Sequence, residues 1–168
     1  MSWNNHLNGY LINYTNQNNG LTLNNLSENA AMIGIDGNLW AATPGFSLSK
    51  YSAPVVNDDG TSSMAQLDEL ATLHDVFENH GATSRPGGIR INNEKYFIVA
   101  YDPERNVLYL RKQNGGACVA KSNTAYVIGT FSSSLKMNDS SRGQIQQNPG
   151  AINLACESLQ EFLLAMNL

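Results

Sequence analysis

The chain has 168 residues, 42% of them apolar and 14% charged, with a formal net charge of −4. That length suits one domain, residues 1–168, able to bury a core of its own. The negative balance argues against nucleic acid or an acidic membrane as a partner of the whole molecule. No apolar run is long enough to cross a bilayer as a helix. The first residues lack the basic-then-apolar pattern of a secretory signal.

Taken in chain order, Ser2 is a candidate N-cap for a helix in which Trp3, Leu7, Tyr10, Leu11 and Tyr14 follow helical spacing. Asn16 to Gly20 ends it. Apolar residues 30–35 and 39–42 flank Asp36-Gly37 and read as a hairpin, and Pro44-Gly45 closes its second strand. Tyr51 to Ser63 reads as a polar loop. A helix follows from about Met64 to Asn79, carrying Leu67, Leu70, Leu73 or His74, and Phe77, with Gly81 past its end.

Strand candidates then crowd together at 88–91, 95–101, 107–112, 117–121 and 124–130. The gaps between them cannot hold a crossover helix, so these strands form an antiparallel meander. Ser132 to Asn148, rich in Ser, Asn and Gln, reads as a mobile loop. Pro149 or Gly150 opens a last helix with Ile152, Cys156, Leu159, Leu163 and Met166 along one face and Phe162 beside them. The pattern is α+β, one antiparallel sheet covered by helices.

Trp3 and Trp40 occupy unusual places, one near the start and one at a strand end. Large aromatics placed so suit a surface groove for a flat, apolar ligand such as a proline-rich peptide. Catalytic and metal motifs are not expected. His74 and His80 miss the spacing for two ligands on one helix face. Gly87-Gly88 and Gly115-Gly116 do not begin a phosphate loop, and Asp58-Asp59-Gly60 is too short for a calcium loop. Cys118 and Cys156 lie inside apolar patterns without metal spacing. Free thiols are the simpler reading of them, with a bridge left open.

Four segments together resemble the profilin family, nearly end to end. Ser2-Trp3 resembles its N-terminal helix. Gly37-Asn38-Leu39-Trp40-Ala41-Ala42-Thr43-Pro44-Gly45-Phe46 resembles its strand of the form V-W-A-A-x-P-G. Leu110 to Gly116 followed by Lys121-Ser122 resembles its basic Gly-Gly hairpin, and Ile152 to Leu163 its C-terminal helix. The chain looks like a divergent member with a long loop, 132–148, before that helix. The resemblance implies a central antiparallel sheet of about six or seven strands. The N- and C-terminal helices would lie on one face and a further helix on the other.

The resemblance also implies a cytoplasmic, monomeric, cofactor-free regulator of actin polymerisation in the cytoskeleton, not an enzyme. It would bind monomeric actin, proline-rich proteins such as formins and, more weakly, phosphoinositides. The polyproline positions match Trp3, His6, Trp40, Phe162 and Leu168. His6 stands for the usual Tyr, Phe162 for His or Tyr, and Leu168 for a terminal Tyr, so proline binding is expected to be retained but weakened. The actin positions match Lys95, Arg111, Lys112, Gly150 and Asn153, while Ala100 and Leu154 replace basic residues. Arg90, Arg111, Lys112 and Lys121 are the phosphoinositide candidates, and no metal site is expected. The other reading is a PAS-, GAF- or longin-like module that binds a small ligand or a GTPase regulator.

Overall fold

A computed structural model describes residues 2–168. Its centre is a seven-stranded antiparallel sheet in the order β4-β3-β11-β10-β9-β8-β7. The strands are β3 (Asn29–Gly34), β4 (Leu39–Ala42), β7 (Ile89–Ile91), β8 (Glu94–Asp102), β9 (Val107–Lys112), β10 (Gly115–Lys121) and β11 (Ala125–Ser132). The meander expected from the short gaps is present in full. Its turn at Asn92-Asn93 has both residues at positive φ, 53° and 63°, the geometry of a two-residue type I′ hairpin that Asn tolerates.

Strand alternation splits the core in two. One face carries Met32, Val107, Cys118, Ala120 and Val127, packed under the terminal elements. The other carries Ala31, Ile33, Leu108, Val119, Tyr126 and Ile128. Helix α3 (Pro149–Ala165) lies on the first face over β10 and β11. It starts at Pro149, capped by the Asn148 side chain, which accepts from the Ala151 N–H. Gly129 brings it close. A Cβ there would stand 3.0 Å from Cys156 Sγ and 3.2 Å from Leu11 Cδ2. Helix α2 (Glu69–Glu78) covers the other face with Leu73, Val76 and Phe77.

The first helix departs from its expected length. Helix α1 spans Trp3–Leu7, capped by Ser2, and continues as a π-helix over Asn8–Ile12. Tyr14 then falls in a strand, β1 (Asn13–Thr15), which pairs with β2 (Thr22–Asn24). A π turn leaves the chain pointing along the sheet rather than completing another helical turn.

Residues 132–148 are not the mobile loop expected. They fold into β12 (Lys136–Asp139) and β13 (Gly143–Gln146), which extend β1 and β2 into a four-stranded sheet. Asp139 anchors the hairpin turn by accepting from the Ser141 and Arg142 backbone N–H groups and from the Ser141 hydroxyl. These bonds, those from Ser141 above all, hold its carboxyl down at about 2.

A second correction concerns 50–68. Here β5 (Lys50–Val56) and β6 (Ser62–Asp68) form a two-stranded ribbon, and α2 begins five residues later than expected. Only Val55 and Leu67 are buried along the ribbon. The buried Glu69 carboxylate pins its base by accepting from Ser49 N, Asn93 N and the Tyr51 hydroxyl.

Candidate functional site

The first candidate surface is an aromatic trough where α1, β4 and α3 meet. Strand β4 departs from regular pairing. Met32 faces Ala41 and Ile33 faces Leu39, so Trp40 has no partner in the ladder. This β-bulge turns the indole aside. Gly34 makes room for it, since a Cβ on Gly34 would lie 3.0 Å from Trp40 Nε1. Trp3 reaches over from α1 and stacks on Trp40 at 5.0 Å between ring centroids, with planes 28° apart. The run continues from Trp3 to His6 at 5.3 Å and from His6 to Phe162 at 4.9 Å. All four rings are half-buried, with one side resting on the core and the other free.

Leu168 packs against the same core cluster. Its carbonyl accepts from Asn123 N at 3.0 Å, which ties the end of the chain to the β10–β11 turn. All five residues singled out in the sequence for this surface therefore sit on one side of the sheet. A sixth was missed. Tyr10 lies 5.8 Å from Phe162 and extends the run. Its helical spacing made it legible as a core residue but not as part of the trough.

The second candidate surface lies where α3 leaves β8 and β9 uncovered. Residues Phe97 and Arg111 are directly paired across these strands, as are Ala100 and Tyr109. Between Ile98 and Ala100 the register shifts, and Val99 is left out of the ladder. This second bulge sends Val99 to solvent. Phe97 and Val99 are 55% and 61% exposed, large values for apolar side chains. Val99, with Ala100, Arg111, Pro149 and Asn153, borders a cleft of about 520 Å³ with mostly apolar walls, and Phe97 pairs with Arg111 beside it. Lys95 Nζ stands 5.6 Å from the Phe97 ring centroid, a cation–π distance. Gly150 is exposed beside Pro149. At the inner wall the Tyr109 hydroxyl donates to Glu157 at 3.1 Å. Burial, then the Glu157 carboxylate, push that phenol up to about 12, so it stays a donor.

Lys95, Arg111, Gly150 and Asn153 thus come together around Phe97 and Val99, while Lys112 does not join them. Successive strand residues point to opposite faces, and Lys112 turns the other way. Its ammonium bonds Glu28 at 2.7 Å and Glu94 at 3.0 Å, 5.5 Å from the Tyr96 ring centroid, and its side chain is 9% exposed. Burial opposes its charge, but the bonds to Glu28 and Glu94 outweigh it and hold the ammonium above its ordinary range. Phe97 and Val99 escaped sequence reading because Tyr96-Phe97-Ile98-Val99-Ala100-Tyr101 is apolar on both faces, and a bulge is silent in such a run.

The phosphoinositide candidates are dispersed. Arg111 pairs with Gly116 near one end of β10, and Lys121 occupies the other end, roughly 17 Å away at 3.4 Å per residue. Arg90 is half-buried beside Glu69 and Thr72. Lys112 is the paired group just described. Cys118 and Cys156 are buried free thiols, with Cys156 Sγ donating to the Cys118 carbonyl at 3.6 Å. The neighbouring Cys156 thiol, with burial, pushes Cys118 well above the usual thiol range, which keeps it unreactive.

The family model named Profilin matches residues 1–168. The chain belongs to the profilin family. A profilin of Tetrahymena pyriformis is 38% identical over 145 residues, covering 85% of this chain and 90% of that one. Acanthamoeba castellanii profilin IB shares the fold with a TM-score of 0.63 and 22% identity, over 99% of this chain and 100% of the other. Mouse profilin IIa, solved in complex with a double repeat from the FH1 domain of mDia1, matches with a TM-score of 0.55 and 12% identity over the whole of both chains. The profilin fold, a large curled antiparallel sheet with three helices, replaces the sensor-module reading.

Proposed function

We propose that this profilin is a binding module that regulates actin polymerisation in the cytoplasm. It holds monomeric actin on the Phe97–Val99 face and proline-rich segments of assembly factors in the Trp3–Trp40 trough. The observation that carries this reading is the Trp3–Trp40 stack, continued by His6 and Phe162. A polyproline II helix presents flat rings and free carbonyls, with no internal hydrogen bonds. Aromatic faces pack on those rings, and an indole N–H or a His6 ring N–H can donate to the carbonyls. The platform is already assembled, which lowers the ordering cost of binding. The mouse relative solved with an FH1 repeat supports the same class of ligand.

At the second surface an apolar centre with Lys95 and Arg111, which enter no ion pair among the described residues, suits an acidic protein surface. The cations steer the encounter and the apolar centre supplies affinity. No cradle of the four phosphoinositide candidates supports lipid binding as a second reading.

Pyrene-actin assembly, run with and without a formin-type proline-rich segment, tests both surfaces at once. The protein should slow spontaneous assembly, and the segment should restore it at filament ends. Tryptophan fluorescence titrated with polyproline should respond below millimolar peptide. No response there, or no effect on assembly, would count against the respective surface.

A further inference from the structure

We propose that the proline trough continues past Phe162 into a polar cleft at Tyr10, and that this extension favours proline-rich peptides with a basic residue flanking the proline run. The inference rests on the trough reading above and specifies its ligand further. The aromatic run does not stop at Phe162. From Phe162 it passes to Tyr10 at 5.8 Å, and from Tyr10 to Tyr14 at 6.2 Å. Tyr10 sits in the π turn over Asn8–Ile12, an element that recurs at functional sites. It brings a phenol to a trough whose other members, Trp3, His6, Trp40, Phe162 and Leu168, carry no hydroxyl. A polyproline II helix advances about 9 Å per turn. A ligand seated on the Trp3–Trp40 pair and running along His6 and Phe162 therefore meets Tyr10 within its next turn or two.

Beyond Tyr10 the surface changes character. It opens into a cleft of about 810 Å³ whose walls are mostly amides and hydroxyls, with Tyr14, Ser158 and Glu161 among them. The Tyr14 hydroxyl and Ser158 Oγ face each other 3.5 Å apart across that wall. Glu161 is the one charged residue lining the cleft. It is exposed and takes part in none of the ion pairs among the described residues. Glu161 and Phe162 both line this cleft, so a residue flanking the prolines meets a carboxylate as it leaves the last rings. A lysine or arginine gains complementarity there and an acidic flank is repelled.

The test uses calorimetric titration at low salt with three peptides: ten prolines alone, ten prolines flanked at both ends by arginine, and the same flanked by glutamate. Flanking both ends removes any dependence on binding direction. The wild-type protein should bind the arginine peptide about threefold more tightly than plain decaproline and the glutamate peptide more weakly, in the range of an exposed ion pair. Glu161→Gln should abolish this order without changing affinity for plain decaproline. Tyr10→Ala should weaken all three peptides about fivefold, in line with the loss of one aromatic contact. Equal affinities for the three peptides, or an order that survives Glu161→Gln, would overturn the proposal even if Tyr10→Ala misfolds. Failure of plain decaproline to bind the wild-type protein would be a different result, bringing down the trough reading and the extension with it.

Discussion

Both candidate surfaces are built by the same backbone device, one extra residue expelled from a strand, yet they come out different. Trp40 leaves the ladder in β4 and lands under a helix, stacked on Trp3 at 5.0 Å with Gly34 behind it. Val99 leaves the ladder in β8 and stays largely exposed at the rim of a cleft, because α3 lies over β10 and β11. The first surface is a pre-formed rigid platform, suited to a stiff and narrow ligand. The second is an open apolar patch that becomes a packed core only when a partner supplies the other half. What decides between the two outcomes is the helix above the bulge, not the bulge itself.

Breaking the open patch should have the largest effect. Val99→Asp places a charge at the centre of the Phe97–Arg111–Asn153 surface. Actin affinity should fall about 30-fold or more, as for a central contact, while polyproline binding and the melting temperature stay unchanged. Actin co-assembly assays and a thermal melt read both. An unchanged actin affinity would show that the patch is not the actin surface. Next in size is Gly34→Ala. Its Cβ would press on Trp40 Nε1 and Asp36 Oδ1, and overpacking of this kind costs about 1–3 kcal/mol. Polyproline affinity should drop about tenfold as the stack is pushed apart, with actin affinity retained. Loss of both together would mean that the sheet itself has failed.

The contrast between the surfaces also marks what could be read from the chain beforehand. The central meander was legible because its strands are dense in apolar residues and its gaps too short for anything but hairpins. The ribbon at 50–68 and the hairpin at 136–146 were not. Each buries one large apolar side chain per strand or fewer, Val55 and Leu67 in one and Met137 in the other. Periodicity needs more inward residues than that to register. Trp3 and Trp40 were found because each is a large aromatic in an unusual place, one near the start and one at a strand end, and the family resemblance points at the same pair. Tyr10, Phe97 and Val99 were not, because a π turn and a bulge redirect side chains without altering the composition around them.

Lys112 sharpens the comparison further. The resemblance groups it with Arg111, while the strand's alternation separates them, and Glu28 and Glu94 hold it on the far face. Lys112→Met should therefore cost stability, about 1–2 kcal/mol from the Glu28 carboxylate left half-buried without its partner. It should leave actin affinity where it was. Arg111→Met should do the reverse. Urea denaturation of both variants beside actin titration separates the two roles. A loss of actin affinity in Lys112→Met without loss of stability would return Lys112 to the actin surface.

The smallest effect concerns what both surfaces share. The far side of the sheet is closed by α2, and His74 Nδ1 bonds the Tyr126 hydroxyl on β11 at 2.6 Å. Burial, and then the nearby Lys121 charge, lower the His74 pKa below its usual 6.5, only partly offset by the Ile35 backbone, Asp68 and Glu78. The sign follows from which state binds the proton. Above about pH 6.5 His74 is neutral folded and unfolded, and its contribution is fully present. Below that, the unfolded chain takes up a proton that the folded one resists, so stability falls as the pH drops through the window beneath 6.5. Neither the trough nor the patch touches His74. The actin patch contains no histidine, so actin affinity should hold across that window while the urea midpoint declines, and His74→Gln should flatten the decline. A loss of actin affinity in that window that His74→Gln removes would mean that α2 transmits to the opposite face of the sheet, against the independence that the two bulges otherwise suggest.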